Sequence, residues 1–245
     1  MSGAVRLEAR SRVTLRHGTF ELYVYRSESE PALEHVALVS GDPAGEDVLV
    51  RVHSECLTGD AFGSMHCDCG EQLDRSLEMV AWEGRGVVVY LRQEGRGIGL
   101  GAKIRAYALQ AQGLDTFEAN RVLGFPEDAR KYEAAQAILA DLGILNVRLL
   151  SNNPEKADAL RRLGVDILWR VPMAVTVNAH NARYLDSKRV RGQHIERGLR
   201  ERYEESGAFS FAQSSAPLCP PPSGPRDHSA PRQPARAGKC TTRSA

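Results

Sequence analysis

Three of the five cysteines, Cys56, Cys67 and Cys69, lie within fourteen residues of one another in a C-x10-C-x-C spacing. Thiolates are soft ligands suited to zinc, and clustered cysteines in a reducing compartment read as metal ligands before they read as disulfides. For any one of them a small buried residue is the plainer reading. Three together, with Gly59, Gly63 and Gly70 letting the loop fold back, favour a metal site. Structural zinc sites are closed by four protein ligands, whereas catalytic ones keep a position for water. No fourth cysteine falls in the part that reads as folded, and His53 and His66 are the residues that could close the shell. Against closure, Cys67-Asp68-Cys69 runs directly into a helical pattern whose first turn carries Glu71 and Gln72, polar residues placed to line a pocket. An open zinc position lowers the pKa of water to about 7 and makes it a nucleophile at neutral pH.

Four segments stand out in order: RVHSECLTGDAFGSMHCDCGEQLD (Arg51 to Asp74), RQEGRGIGLGAKIRAYALQ (Arg92 to Gln110), DTFEANRVLGFPEDAR (Asp115 to Arg130) and RLLSNNPEK (Arg148 to Lys156). Together they resemble the motifs of the GTP cyclohydrolase II family. The resemblance runs through roughly residues 13 to 200. It implies hydrolysis of GTP to formate, pyrophosphate and 2,5-diamino-6-(5-phosphoribosylamino)pyrimidin-4(3H)-one, the first committed step toward riboflavin, in a cytoplasmic homodimer. By the same resemblance Cys56, Cys67 and Cys69 would bind one zinc ion per subunit, activating water for attack at guanine C8, and magnesium would accompany the triphosphate. Arg51, Val52, His53, Ser54 and Glu55 would line the nucleotide site, and Gln72 and the Glu94-Gly95-Arg96 turn would contact GTP. Thr116, Ser151 and Lys156 would complete that pocket. Asp128 would be the general base, Arg130 the group that attacks the α-phosphate, and Tyr107 would face the chemistry. Bifunctional relatives carry a butanone-phosphate synthase domain on the N-terminal side, and the monofunctional form is expected here. His66 stands where the family often has Arg, and Ser151 where Thr is common.

The implied chemistry makes physical sense in part. A triphosphate carries about four negative charges near neutral pH and needs cations and backbone donors. Arg51, Arg96, Arg105, Arg130 and Lys156 are plausible suppliers. Lys156 falls in the first turn of a helix opened by Pro154, whose free N–H groups suit a phosphate, and Ser151 adds a hydroxyl. A guanidinium is effectively always protonated, so attack by Arg130 would need Asp128 to remove a proton at high cost. The milder reading is that Arg130 neutralises the α-phosphate while water attacks. A carboxylate suits the N1–H and exocyclic amine of guanine, with Glu94 or Glu55 as the candidate. Other readings are a paralogue that stops at the formylated intermediate, a zinc-stabilised nucleic-acid binder, and an interaction protein acting through a basic tail. A dinucleotide fingerprint, Gly97-x-Gly99-x-x-Ala102 with Asp115 and Glu118 downstream, leaves the cysteines unexplained and starts well beyond the preceding strand.

These residues need a scaffold, and the patterning predicts an α/β fold with an α+β tendency: one mixed sheet flanked by helices. Thr19–Arg26, Glu34–Ser40 and Val48–His53 read as early, antiparallel strands, and Gly86–Leu91 (GVVVYL) as a strand buried on both faces. Helices are expected over Gln72–Trp82, 101–112 and Arg130–Leu142, the last with Tyr132, Ala135, Ile138, Leu139 and Leu142 on one face. A strand–helix–strand unit follows: Val147–Leu150, Pro154–Leu163 capped by Asn153, and Ile167–Val171.

Composition bounds the rest. Of 245 residues 42% are apolar, enough for a core, and the formal net charge of +1 argues against duplex nucleic acid as the main partner. No run of about 18 apolar residues suggests a membrane span, and no signal peptide is evident, so a cytoplasmic location is expected. After Glu205 the sequence turns to Pro, Ser, Ala and Arg. A catalytic domain over 1–205 and a disordered tail over 206–245, with Cys219 and Cys240 as free thiols, are therefore expected.

Overall fold

The computed structural model describes residues 5–190 except 29, 115 and 127, and omits the side chains of 116, 117 and 190. The expected boundary near Glu205, the tail, Cys219 and Cys240 lie outside the described residues. The strands are β1 (Val5–Leu15), β2 (Gly18–Ser27), β3 (Glu34–Ser40), β4 (Val48–Ser54), β5 (Gly86–Leu91), β6 (Asn146–Leu150) and β7 (Asp166–Val171). The helices are α1 (Leu57–Asp60), α2 (Cys69–Glu83), α3 (Leu100–Ala111), α4 (Thr116–Val122), α5 (Glu133–Asp141), α6 (Pro154–Arg162) and α7 (Ala182–Val190). None of them is long and apolar enough to cross a membrane.

All seven strands form one mixed sheet in the order β1-β2-β3-β5-β4-β6-β7. β1, β2, β3 and β5 pair antiparallel in turn, while β4 pairs parallel with both β5 and β6, and β6 with β7. β4 therefore runs opposite to β3, as expected of the early strands, but β5 stands between them. The reason lies in burial. β4 and β5 are almost wholly buried, and such continuous apolar strands take the centre of the sheet, where both faces are covered. The expected GVVVYL strand is β5, with Val87, Val88 and Val89 fully buried. β1 was not expected. Its eleven residues are largely exposed, and it forms an edge strand whose charges, such as Arg12 with Glu21 at 2.9 Å, hide the alternation.

The core packs α5 and α6 against the sheet, with Tyr132, Ala135, Ile138, Leu139 and Leu142 buried as the spacing predicts. α5 begins at Glu133, not at Arg130, so Arg130 sits in the approach to the helix. There the Ala129 N–H bonds the Arg96 carbonyl at 3.0 Å, a tertiary contact that fixes the segment outside the helix. Asn153 caps α6 by accepting from the Glu155 N–H at 2.9 Å, with Pro154 in the first turn, as anticipated. α2 starts at Cys69, three residues before the expected Gln72, which makes the third cysteine part of the helix.

Candidate active site

The ends of the central strands carry the site. β4 runs into Cys56, the chain turns through α1, and Cys67 and Cys69 return at the start of α2. The three sulfurs lie within 4.8 Å of one another, with Cys56 Sγ 3.7 Å from Cys67 Sγ. Zinc–sulfur bonds of ~2.3 Å at tetrahedral angles give a sulfur–sulfur edge of about 3.8 Å, a spacing that Cys56 and Cys67 match. The backbone is shaped to the same end. A Cβ on Gly59 would stand 2.9 Å from Cys67 Sγ and 3.2 Å from Cys56 Sγ, and one on Gly70 would meet the Gly59 carbonyl oxygen at 2.3 Å. Asp60 fastens the loop: its side chain, 5% exposed, accepts from the Cys56 N–H at 2.9 Å, the Tyr90 hydroxyl at 2.9 Å and His53 Nε2 at 3.1 Å.

Neither histidine named for a fourth ligand joins this group among the described residues. Burial holds His53 below its ordinary pKa, so it is neutral, donating from Nε2 to Asp60 and presenting Nδ1 to Arg51. His66 is exposed, its ring 6.0 Å from that of Tyr107 and 6.1 Å from that of His180. The thiols share their protons unequally. Hydrogen bonds from Cys67 and Cys69, and then Lys103, hold Cys56 far below the ordinary thiol value. Its bond to Cys56 pushes Cys67 up to about 11, and Cys69 also rises. Those shared protons are what a divalent cation displaces on binding.

The cysteines open onto a cleft enclosing about 1060 Å³, part of it open to solvent. Six cations line it, Arg51, Arg96, Lys103, Arg130, Lys156 and Lys188, against two carboxylates, Glu55 and Glu94. A chain that is nearly neutral overall thus has a locally positive pocket, suited to a polyanion. Arg51 is 5% exposed and reaches Gln72 Oε1 at 2.5 Å and the Leu150 carbonyl at 3.0 Å. Its buried Nε has no partner among the described residues. Lys156, also buried, donates to the Val52 carbonyl at 2.6 Å. Burial, and then Arg51, Arg130 and Lys188, push its pKa well below the ordinary ammonium value.

Arg96 occupies the left-handed region at φ 60°, between Gly95 and Gly97. A Cβ on Gly97 would strike the Ala129 carbonyl oxygen at 2.7 Å, so this turn packs closely on the segment that presents Arg130. Arg130 is clamped by Asp128, which accepts from its Nε at 2.9 and 3.0 Å and also from its terminal NH2. Burial works against the charge of Arg130, but Tyr132 and the Asp128 carboxylate raise its pKa above the ordinary guanidinium value. Burial raises Asp128 too, yet the bonds and charge of Arg130 outweigh it and leave the carboxyl below the usual range. The pair is charged and mutually satisfied.

Of the residues singled out from sequence, Arg51, His53, Ser54, Glu55, Gln72, Glu94, Gly95, Arg96, Tyr107, Arg130, Ser151 and Lys156 line the cleft with the three cysteines. Val52 contributes its carbonyl to Lys156 from behind the wall, and Asp128 binds Arg130. Thr116 opens α4, but its side chain lies outside the described residues. Arg105 is exposed and takes no part in the lining. Glu71 turns away from the cleft, accepting from the Thr176 N–H at 2.9 Å and hydroxyl at 2.8 Å. Glu94 is occupied, accepting from the Leu57 N–H at 2.6 Å and Lys103 at 2.9 Å. Gly97 and Gly99 lie in the turn before α3, away from the end of β5 at Leu91, and do not form a dinucleotide turn.

Sequence reasoning missed Lys103, Gln110, Asn120, Tyr184 and Lys188. Lys103, Tyr107 and Gln110 recur at helical spacing, a signal that was available once Tyr107 was placed. Tyr184 and Lys188 come from α7. There Lys188 bonds Asp68 Oδ1 at 2.8 Å, and Asp68 Oδ2 accepts from Gln72 at 2.6 Å, linking α7 to Arg51 through buried groups.

A sequence model of the GTP cyclohydrolase II family matches residues 6–172. Three relatives named riboflavin biosynthesis protein RibBA are similar to the chain. That of Nocardia farcinica is 56% identical over 193 residues, 78% of this chain and 46% of its own. That of Mycobacterium avium is 54% identical over 202 residues, 80% and 47%, and that of Mycolicibacterium gilvum is 55% identical over 197 residues, 78% and 46%. The chain thus spans about half the length of these curated relatives. A solved structure of RibBX, a two domain 3,4-dihydroxy-2-butanone 4-phosphate synthase from A. baumannii, aligns at TM-score 0.42 and 23% identity over 68% of this chain and 40% of that one, too weak a likeness to argue from. A family match over most of the described fold, joined to identities above one half, makes this chain a member of the GTP cyclohydrolase II family.

Proposed function

We propose that the chain hydrolyses GTP to formate, pyrophosphate and the diaminopyrimidine ribosyl phosphate, the entry reaction of riboflavin synthesis. The observation that carries the proposal is one cleft holding both a zinc-spaced trio of sulfurs and a wall of six cations. Zinc held by Cys56, Cys67 and Cys69 would supply Lewis acidity and acidify water at neutral pH.

The chain's own residues do the rest. Arg51, Arg96, Arg130 and Lys156 bind the triphosphate with its magnesium, and Ser151 adds a hydroxyl from the end of β6. Gln72 orients Arg51, and Val52 orients Lys156 through its carbonyl. Tyr107 lines the same space. The Asp128 clamp supports Arg130 as a fixed cation beside the α-phosphate more than as an attacking group, because a guanidinium so paired holds its protons. A carboxylate held low by that partner is a weak base, which supports water as the attacking group at phosphorus. The commitment of Glu94 to Lys103 and Leu57 leaves guanine selection to Glu55 and the amide side chains of the cleft. A homodimer in the cytoplasm completes the reading and rests on the family likeness.

The test is incubation of the purified protein with GTP and magnesium, with pyrophosphate, formate and the pyrimidine assayed separately and zinc counted on the same sample. All three products from wild type, and none of the ring-opened product from Cys67→Ser, are expected. GTP left intact by zinc-replete protein would end the proposal, and pyrophosphate with retained formyl would point to the paralogue that stops early.

A further inference from the structure

Lys103 is buried in the wall of the cleft, and the reaction as described gives it no task. Its ammonium carries three N–H donors. Each is engaged: Cys56 Sγ at 3.0 Å, Thr58 Oγ1 at 3.0 Å and Glu94 Oε1 at 2.9 Å. No donor remains for a phosphate, in contrast to Lys156, which has one hydrogen-bond acceptor, the Val52 carbonyl, among the described residues. Glu94 in turn is fixed at both oxygens. Oε1 also accepts from the Gly95 N–H at 2.7 Å, and Oε2 accepts from the N–H of Leu57, the residue directly after Cys56, at 2.6 Å. One carboxylate thereby holds the backbone beside Cys56 and the ammonium aimed at its sulfur.

We propose that Lys103, held by Glu94, is a positioning residue for the metal centre: it hydrogen-bonds the Cys56 sulfur and so sets how much charge that sulfur gives to the ion. The proposal rests on the reading that the three cysteines hold zinc. Three thiolates and a divalent ion sum to one negative charge, which weakens the Lewis acid. Cys69 opens α2, so that once its proton is displaced the thiolate stands at a helix N-terminus, which stabilises it. Cys56 has no such helix of useful length, and the ammonium at 3.0 Å takes that place. A hydrogen bond from a cation draws electron density from sulfur and leaves the ion more electrophilic.

The test uses the cobalt-substituted full chain, because thiolate-to-cobalt charge transfer reports the electron density on sulfur directly. Wild type, Lys103→Met, Lys103→Arg and Glu94→Gln are compared for the energy of that band. The zinc forms are compared for kcat and KM toward GTP, with circular dichroism melts as a control. Lys103→Met is expected to move the band to longer wavelength and to lower kcat by about 10–100-fold, the usual range for a lost outer partner of a metal ligand, with KM little changed. Lys103→Arg should fall between Met and wild type, and Glu94→Gln should shift the band in the same direction by less. A folded, cobalt-loaded Lys103→Met with an unmoved band overturns the proposal, whatever its turnover, and leaves Lys103 as a strut for the Glu94 turn. If Lys103→Met does not fold, unmoved bands in both other variants overturn it equally. Wild type without a thiolate-to-cobalt band overturns both this proposal and the zinc assignment. Wild type with the band but without GTP turnover overturns only the proposed reaction.

Discussion

Gly59→Ala separates metal capture from folding. Gly59 lies inside α1 and its φ is not in the left-handed region, so alanine is compatible with the backbone and gains about 1 kcal/mol of helix propensity. The new methyl, however, stands 2.9 Å from Cys67 Sγ, and ordinary contact begins at 3.4 Å, so that sulfur must retreat by about 0.5 Å. Overpacking of this kind costs about 1–3 kcal/mol, which leaves a net loss of about 0–2 kcal/mol. At about 2–4 °C per kcal/mol for a chain of this size, the melting temperature falls by no more than about 8 °C. Zinc is far less tolerant, because ligand distances in real sites hold within ~0.2 Å. If the trio holds zinc as proposed, the variant is expected to fold and to lose most of the metal. The assay is zinc per chain by mass spectrometry after gel filtration, with iodoacetamide labelling of Cys56, Cys67 and Cys69 and a melt by circular dichroism. A variant with wild-type zinc content and turnover would refute the cradle argument, and one that fails to fold would refute the energy balance.

Three further outcomes follow from particular contacts. Lys156 sits below its ordinary 10.5 because burial and three cations disfavour its charge, so it subtracts stability at every pH below that value. Lys156→Met should thus raise the melting temperature while weakening GTP binding by about 10–150-fold, the worth of a charged hydrogen bond of about 1.5–3 kcal/mol; titration calorimetry and a melt check both halves. His35 is held below 6.5 by burial, and its Nδ1 accepts the Arg92 N–H at 3.1 Å. The unfolded chain therefore takes up a proton that the native state refuses, and stability drops as pH falls below 6.5; thermal melts from pH 8 to 5 should show a shallower slope for His35→Asn. Tyr25→Phe removes the 2.8 Å bond to Asp141 that ties α5 to β2 and should lower the melting temperature by about 2–4 °C, the equivalent of ~1 kcal/mol, in a calorimetric scan.

What was legible in the sequence follows from how local each signal is. GVVVYL and the buried face of α5 announce themselves because burial on both sides, or on one helical face, leaves a periodic apolar trace within a dozen residues. β1 leaves no such trace, since an edge strand with most side chains in water can be as charged as a loop. The cysteine trio was readable from type and spacing alone, and the resemblance named much of the cleft. Lys103 and Asp60 escaped because their meaning lies in partners distant along the chain. Lys103 meets Cys56 across 47 residues, and Asp60 meets Tyr90 across 30. Glu94 shows the reverse error. A carboxylate in a glycine-rich turn looked free for guanine, and only the fold reveals that Leu57 and Lys103 have claimed it.

The parallel register of β4 with β6 carries a cost in time. Arg51 meets the Leu150 carbonyl across 99 residues and Lys156 meets the Val52 carbonyl across 104, so the cleft closes only through contacts of very long range, the slowest kind to form. On the ribosome Cys69 emerges 87 residues ahead of Lys156. At ~5–20 residues per second, the thiols wait about 4–17 s before the strand and helix that add Ser151 and Lys156 to their pocket have been synthesised. During that interval the loop is a bare thiol cluster, open to oxidants and to whatever soft cations the cell leaves free. Loading of the proposed zinc would in that sense be a race run at the pace of translation, and slowing synthesis of the second half of the chain lengthens the exposure without altering a single residue.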